Sequence, residues 1–178
     1  MKSTPKINKG VHKLKRYMYW LLPISWMAVL FYSSSTPYEQ QNMKPFLSSY
    51  VDLSFLEPYV GWVEFTYHRS VVSVAELGIE GFVEFFVRKG AHVVSFYMLC
   101  CFFYIALRNQ QKVLRRMSLA FLLTVVYATL DELHQGITPN RTPYVGDVLL
   151  DSFGALLAII CIVIFAQFDK KRLIFKES

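Results

Sequence analysis

Met117-Ser118-Leu119-Ala120-Phe121-Leu122-Leu123-Thr124-Val125-Val126-Tyr127-Ala128-Thr129-Leu130 is an apolar run that ends in Asp131-Glu132-Leu133-His134-Gln135. Together they approach the roughly 20 residues that a helix needs to cross a bilayer. Two acids, an imidazole and an amide therefore sit where such a helix leaves the hydrocarbon. An acid costs about 2.5 kcal/mol or more at the centre of a membrane helix, and less toward the interface, unless it has a partner or a use. The reading of the whole chain turns on what these groups face.

Composition points the same way. The 178 residues are 54% hydrophobic and 16% aromatic but only 18% charged, which is apolar-rich and charge-poor for a soluble domain. Four helices of about 20 residues would consume most of the chain and leave little for a separate soluble core. The net charge of +6 is not a nucleic-acid signature, because the basic residues cluster beside apolar runs and no recognisable nucleic-acid module accompanies them. Cys100, Cys101 and Cys161 all fall inside apolar runs, where cysteine serves as a small packing residue.

Outward from the opening stretch, three more spans are predicted, giving crossings at about 17–34, 89–107, 117–135 and 147–168. The first follows Lys2, Lys6, Lys9, Lys13, Lys15 and Arg16; no small-x-small cleavage site follows it, so it reads as an uncleaved span. Ser33-Ser34-Ser35-Thr36-Pro37 ends it in a turn. In the segment 35–88, Trp62 to Tyr67 and Val71 to Val74 are β-rich runs around the polar His68-Arg69-Ser70, which predicts a hairpin. Ile79, Phe82, Val83 and Phe86 then recur at helical spacing, while Glu76, Glu80, Glu84 and Arg88 form an i+4 charged stripe. That pattern predicts an amphipathic helix lying along the bilayer surface before the second span begins.

Basic residues are dense at 1–16, in Arg108, Lys112, Arg115 and Arg116 between spans two and three, and in Lys170, Lys171, Arg172 and Lys176 of the tail 169–178. The positive-inside rule puts both termini and that connector in the cytoplasm. The expected fold is thus an all-α, four-span membrane protein with cytoplasmic termini and a long extracytoplasmic loop carrying a hairpin and an amphipathic helix. Arg88, Lys89 and His92, then Asp131 to Gln135, then Asp147 and Asp151 all reach the same outer face.

Residues three and four apart share a helix side, so Asp131, His134 and Gln135 point one way and Glu132 is rotated by about 100°. Arg88 pairs with His92 on a second helix, and Asp147 with Asp151 on a third. The candidate ligand-binding set is Arg88, Lys89, His92, Asp131, Glu132, His134, Gln135, Arg141, Asp147 and Asp151. In one reading Arg88, Lys89 and Arg141 hold an anionic or amphiphilic ligand. In a second, His92 or His134 acts as acid or base beside Asp131 in a membrane-embedded hydrolase or transferase. In a third, the charges are interhelical ion pairs of a structural subunit. No spacing matches a metal signature such as His-Glu-x-x-His, and no metal or cofactor is expected.

Arg88-Lys89-Gly90-Ala91-His92, Asp131-Glu132-Leu133-His134-Gln135, Thr138-Pro139-Asn140-Arg141, and Asp147 with Asp151 and Gly154 together resemble the VanZ-like family of bacterial integral membrane proteins. Tyr32-Ser33-Ser34-Ser35-Thr36-Pro37 resembles that family's serine-rich exit from its first span. The match runs from about Tyr17 to Phe168. It departs at Ser95-Phe96-Tyr97, where an acid close before an aromatic is expected. The resemblance implies a multi-pass protein of the bacterial cytoplasmic membrane, associated with the envelope and with glycopeptide tolerance, whose partners are the lipid bilayer and a lipid-linked or lipoglycopeptide ligand. It brings no settled reaction with it.

Overall fold

The computed structural model describes residues 17–138 and 143–177. The basic segment 1–16 and Arg141 lie outside the described residues.

Four helices make the bundle: α1 (Leu21–Ser35), α4 (Val74–Ala106), α5 (Val113–Gln135) and α6 (Val145–Glu177). Between α1 and α4 lie the short helices α2 (Lys44–Tyr50) and α3 (Glu57–Val60), two 3-10 turns, and an antiparallel hairpin of β1 (Glu64–Tyr67) and β2 (Ser70–Ser73). The central element is α4, which packs on α1, α5 and α6. Three helical segments, Val74–Ala106, Val113–Gln135 and Val145–Phe168, are long and apolar enough to cross a membrane. By contrast α1 is apolar but has 15 residues, about 22 Å of helix.

The packing is that of a membrane protein. Leu149, Phe153, Leu156, Ile160 and Ile164 form an exposed stripe along α6, and Leu122, Val126, Leu130 and Leu133 form one along α5, so the outer surface is apolar. Inside, small residues let backbones approach: Ala120 and Ala128 of α5 and Ala155 and Ala158 of α6 are fully buried beside Phe96, Leu99, Cys100 and Phe103 of α4. Polar side chains tie α1 down. The Trp26 indole N–H donates to the Ser95 carbonyl at 3.0 Å, and the Tyr127 hydroxyl donates to the Met27 carbonyl at 2.7 Å. Arg108 lies over Tyr19 and Arg116 over Tyr104, so the connector between α4 and α5 and the start of α1 share one end of the bundle.

At the other end, the segment after α1 folds back on the first turns of α4. Leu47, Leu53 and Ile79 bury one another there, with Leu56, Val60, Val74 and Val83 around them. The expected hairpin is present and tighter than its sequence suggested, with Tyr67 paired to Ser70 and a two-residue turn at His68-Arg69. Both turn residues have positive φ, 44° and 65°, as a type I′ turn demands. Non-glycine residues pay about 1–2 kcal/mol for that region. Arg69→Gly is therefore expected to stabilise the detergent-solubilised protein by about 1 kcal/mol; an unchanged or lower midpoint of thermal unfolding would contradict this.

The expected amphipathic helix and second span share one helix. No break separates a surface helix ending near Arg88 from a span beginning at Lys89: apart from Gly78, whose φ of 69° and ψ of 168° interrupt the first turn, α4 is one helix to Ala106. The amphipathic stretch is its leading part. No proline falls between Ile79 and Ala106, and the Glu84–Arg88 pair at i, i+4 braces the turn before the expected junction at 2.7 Å. Within the charged stripe Glu84 is buried, 2% exposed, while Glu76 is exposed.

Candidate functional site

The chain brings most of the predicted polar residues to one end of the bundle. The end of α1, the middle of α4, the end of α5 and the start of α6 meet there, and the polar face of α4 divides between two neighbours.

Toward α6, Lys89 Nζ is 2.6 Å from Asp147 Oδ1 and His92 Nδ1 is 3.3 Å from Asp151 Oδ1. The second contact falls short of an aligned hydrogen bond, as Asp151 Oδ1 accepts none. The Tyr67 hydroxyl of β1 also donates to Asp147 Oδ1, and Lys89 lies 4.5 Å from the centre of the Tyr67 ring. Burial, and then the Asp147 carboxylate beside it, push the Tyr67 hydroxyl above the ordinary tyrosine pKa. His68 stacks on Tyr144, and the Tyr144 N–H donates to Glu132 Oε1 at 2.6 Å. The hairpin, α4, α5 and the start of α6 are thereby clamped together. Gly154 permits the close approach: its Cα faces Val93 so tightly that a Cβ would lie 2.3 Å from the Val93 carbonyl oxygen.

Toward α1 and α5, Arg88, Ala91, His92 and Ser95 follow one another at i, i+3, i+4 and i+7 and line a cavity of about 140 Å³. Leu30, Ser33, Ser34, Gln41, Phe96 and Asp131 complete it. Asp131, 5% exposed, accepts at Oδ2 from Ser34 Oγ and from Gln135 Nε2, each at 2.9 Å. Its Oδ1 has no hydrogen-bond partner. Arg88 donates to Glu84 at 2.7 Å, and Glu84 also accepts the Met43 N–H at 3.3 Å. Gln41 donates to the Ser33 carbonyl at 2.7 Å, which fastens the segment after α1 beside the cavity.

Helical spacing alone put His134 with Asp131. In the structure it is Gln135 that reaches Asp131, while His134 stacks on Phe31 with ring centres 4.2 Å apart and its Nδ1 buried without a partner. The two positive residues expected to hold an anion, Arg88 and Lys89, are each within 2.7 Å of a carboxylate. Arg141 lies outside the described residues. Among the described residues, no group of three or more His, Cys, Asp or Glu is placed to hold a metal ion.

Sequence reading missed Ser34 and Glu84. Ser34 was absorbed into a serine-rich turn, although it lies four residues after the buried Leu30 and so on the same side of α1. Glu84 carried no local signal, because its burial comes from Met43 and the segment folded over it.

A family model described as VanZ/LLP1 matches residues 19–166. The chain belongs to the VanZ/LLP1 family. The matched region takes in all of the site just described, from Ser33 to Gly154, and reaches into the predicted Arg141 segment. No curated protein and no solved structure matches this VanZ/LLP1 chain. Family membership and three helices able to cross a membrane make it a multi-pass membrane protein; they assign no reaction.

Proposed function

We propose that this VanZ/LLP1 protein works in the bacterial cytoplasmic membrane as a binding protein for an amphiphile, with the polar head held in the cavity between α1, α4 and α5. In this reading α1 is a fourth span, the termini are cytoplasmic, and the cavity end faces the envelope. The candidate ligands are lipid-linked envelope precursors and lipoglycopeptides, and the physiological outcome is glycopeptide tolerance. The observation that carries the reading is a polar-lined cavity set among helices whose outer faces are apolar, an arrangement that suits a molecule with a polar head and an apolar tail.

A ligand that binds only the folded state at a hundred times its Kd adds about 2.7 kcal/mol of apparent stability. Thermal unfolding in detergent, run across a panel of such amphiphiles, is expected to show a raised midpoint for at least one of them. Ser95→Leu, which fills the cavity, should remove the shift. A panel without any shift would overturn the reading.

The contact of His92 with Asp151 favours a second reading. A carboxylate beside an imidazole at the edge of a cavity is placed to assist a general base, and Ser33 and Ser95 line the same space. Turnover of a lipid-linked substrate by the purified protein, abolished by His92→Ala, would decide for a hydrolase or transferase; inactivity across the panel would decide for binding alone. His134, stacked on Phe31, has no part in either reading.

A further inference from the structure

We propose that the cavity recognises a primary ammonium group, the amine of an aminophospholipid head, through Asp131. This rests on the amphiphile reading above and narrows it from polar heads in general to one chemistry.

Asp131 supplies the main observation. One carboxylate oxygen is doubly satisfied, by Ser34 and Gln135, which fixes the plane of the group. The other is buried, lines the cavity and accepts nothing. Both of these donors on Oδ2 are neutral. A buried carboxylate oxygen left without a donor is costly, and a ligand N–H delivered to it removes that cost. Among the lining residues, Arg88 is engaged with Glu84 at 2.7 Å, Ser33 and Ser95 are neutral, and Asp131 is the carboxylate.

Size and surroundings indicate which amine. A volume of about 140 Å³ is several times the share of one water molecule in the liquid, about 30 Å³. That is room enough for an aminoethyl arm. Leu30, Ala91 and Phe96 give the cavity an apolar side against which the methylenes of such an arm rest. Arg88, with five N–H donors in its guanidinium, lies in the same lining and is the group nearest in chemistry to an adjoining phosphate. The apolar outer faces of α5 and α6 make the bilayer the source of the ligand.

The test uses the full-length protein in detergent, with retained lipid measured by native mass spectrometry. Three lipids share acyl chains: phosphatidylethanolamine, which donates N–H bonds; phosphatidylcholine, which keeps the positive charge but has no N–H; and phosphatidylglycerol, which is anionic without an amine. A charge-assisted hydrogen bond corresponds to about tenfold or more in affinity. Phosphatidylethanolamine should therefore be retained about tenfold over the other two. Asp131→Asn should bring it down to the phosphatidylcholine level. Ala91→Leu, at an exposed position that lines the cavity without any hydrogen bond at stake, should do the same and covers the case in which Asp131→Asn does not fold. Equal retention of phosphatidylethanolamine and phosphatidylcholine, or a preference that survives both substitutions, would overturn the proposal. Preference for phosphatidylglycerol lost in Ala91→Leu would overturn the ammonium while upholding the amphiphile pocket. No selective retention of any lipid would count against both. Glycerophosphoethanolamine that binds as tightly as the lipid would overturn the bilayer as the source.

Discussion

Gly154→Ala loosens the bundle, and Gly154→Leu unfolds it. A Cβ at this position would sit 2.3 Å from the Val93 carbonyl oxygen, 3.1 Å from its carbon and 3.2 Å from its Cα. All three are backbone atoms of α4, so no rotamer change relieves the overlap; the helices must separate. Overpacking of this kind costs about 1–3 kcal/mol where neighbours yield, and alanine is expected at the upper end because the neighbour is a helix backbone. The same separation pulls Lys89 from Asp147 and His92 from Asp151, whose contacts at 2.6 and 3.3 Å lie within two turns of Val93 and Gly154. Gly90→Ala is the matched control. Nothing lies within 4 Å of a Cβ there, so the substitution should stabilise α4 by up to about 1 kcal/mol through helix propensity. Thermal unfolding in detergent reads both. Midpoints moving in the same direction for the two glycines would refute the assignment of Gly154 as the point of closest approach.

Arg88→Met should cost about as much for a different reason. Glu84 keeps 3% of its side-chain surface in contact with the exterior, and its Oε2 accepts no hydrogen bond. Removing the guanidinium leaves a buried carboxylate with the Met43 N–H at 3.3 Å, and breaking a buried pair from one side typically costs about 3–5 kcal/mol. Replacing both members by apolar residues avoids the orphaned charge and is often neutral or better. The double variant Glu84→Met/Arg88→Met is thus expected to regain most of the loss. A double variant no more stable than Arg88→Met alone would show that the guanidinium matters through something other than Glu84.

The site was legible in sequence at the level of which helices contribute, and less so at the level of which atoms meet. Apolar runs and basic clusters located the helices, and β-rich runs around His68-Arg69 located the hairpin, because both signals are local. Ser34 and Asp131 are 97 residues apart, and nothing in either neighbourhood names the other. Helical period placed His134 and Gln135 on the side of Asp131 but could not rank them. The position of Phe31 across the interface decides that His134 stacks and Gln135 bonds. In sequence Glu84 is one step of a charged stripe, because burial by a distant segment leaves no mark on helical spacing. From Ile79 to Ala106 the backbone of α4 runs on without a break, because a change from charged to apolar neighbours alters the surroundings of a helix and gives its backbone no cause to end.

The shortness of α1 has a consequence for the lipid around it. Were α1, with 15 residues and about 22 Å of helix, to cross a hydrocarbon core near 30 Å as proposed, it would create hydrophobic mismatch, which a bilayer meets by thinning or by drawing polar flanking groups inward. The helix ends at Ser33, Ser34 and Ser35, beside Asp131. Headgroups drawn down on that flank would then come level with the carboxylate, and a lipid would reach it by local deformation of the leaflet without being lifted out of the membrane.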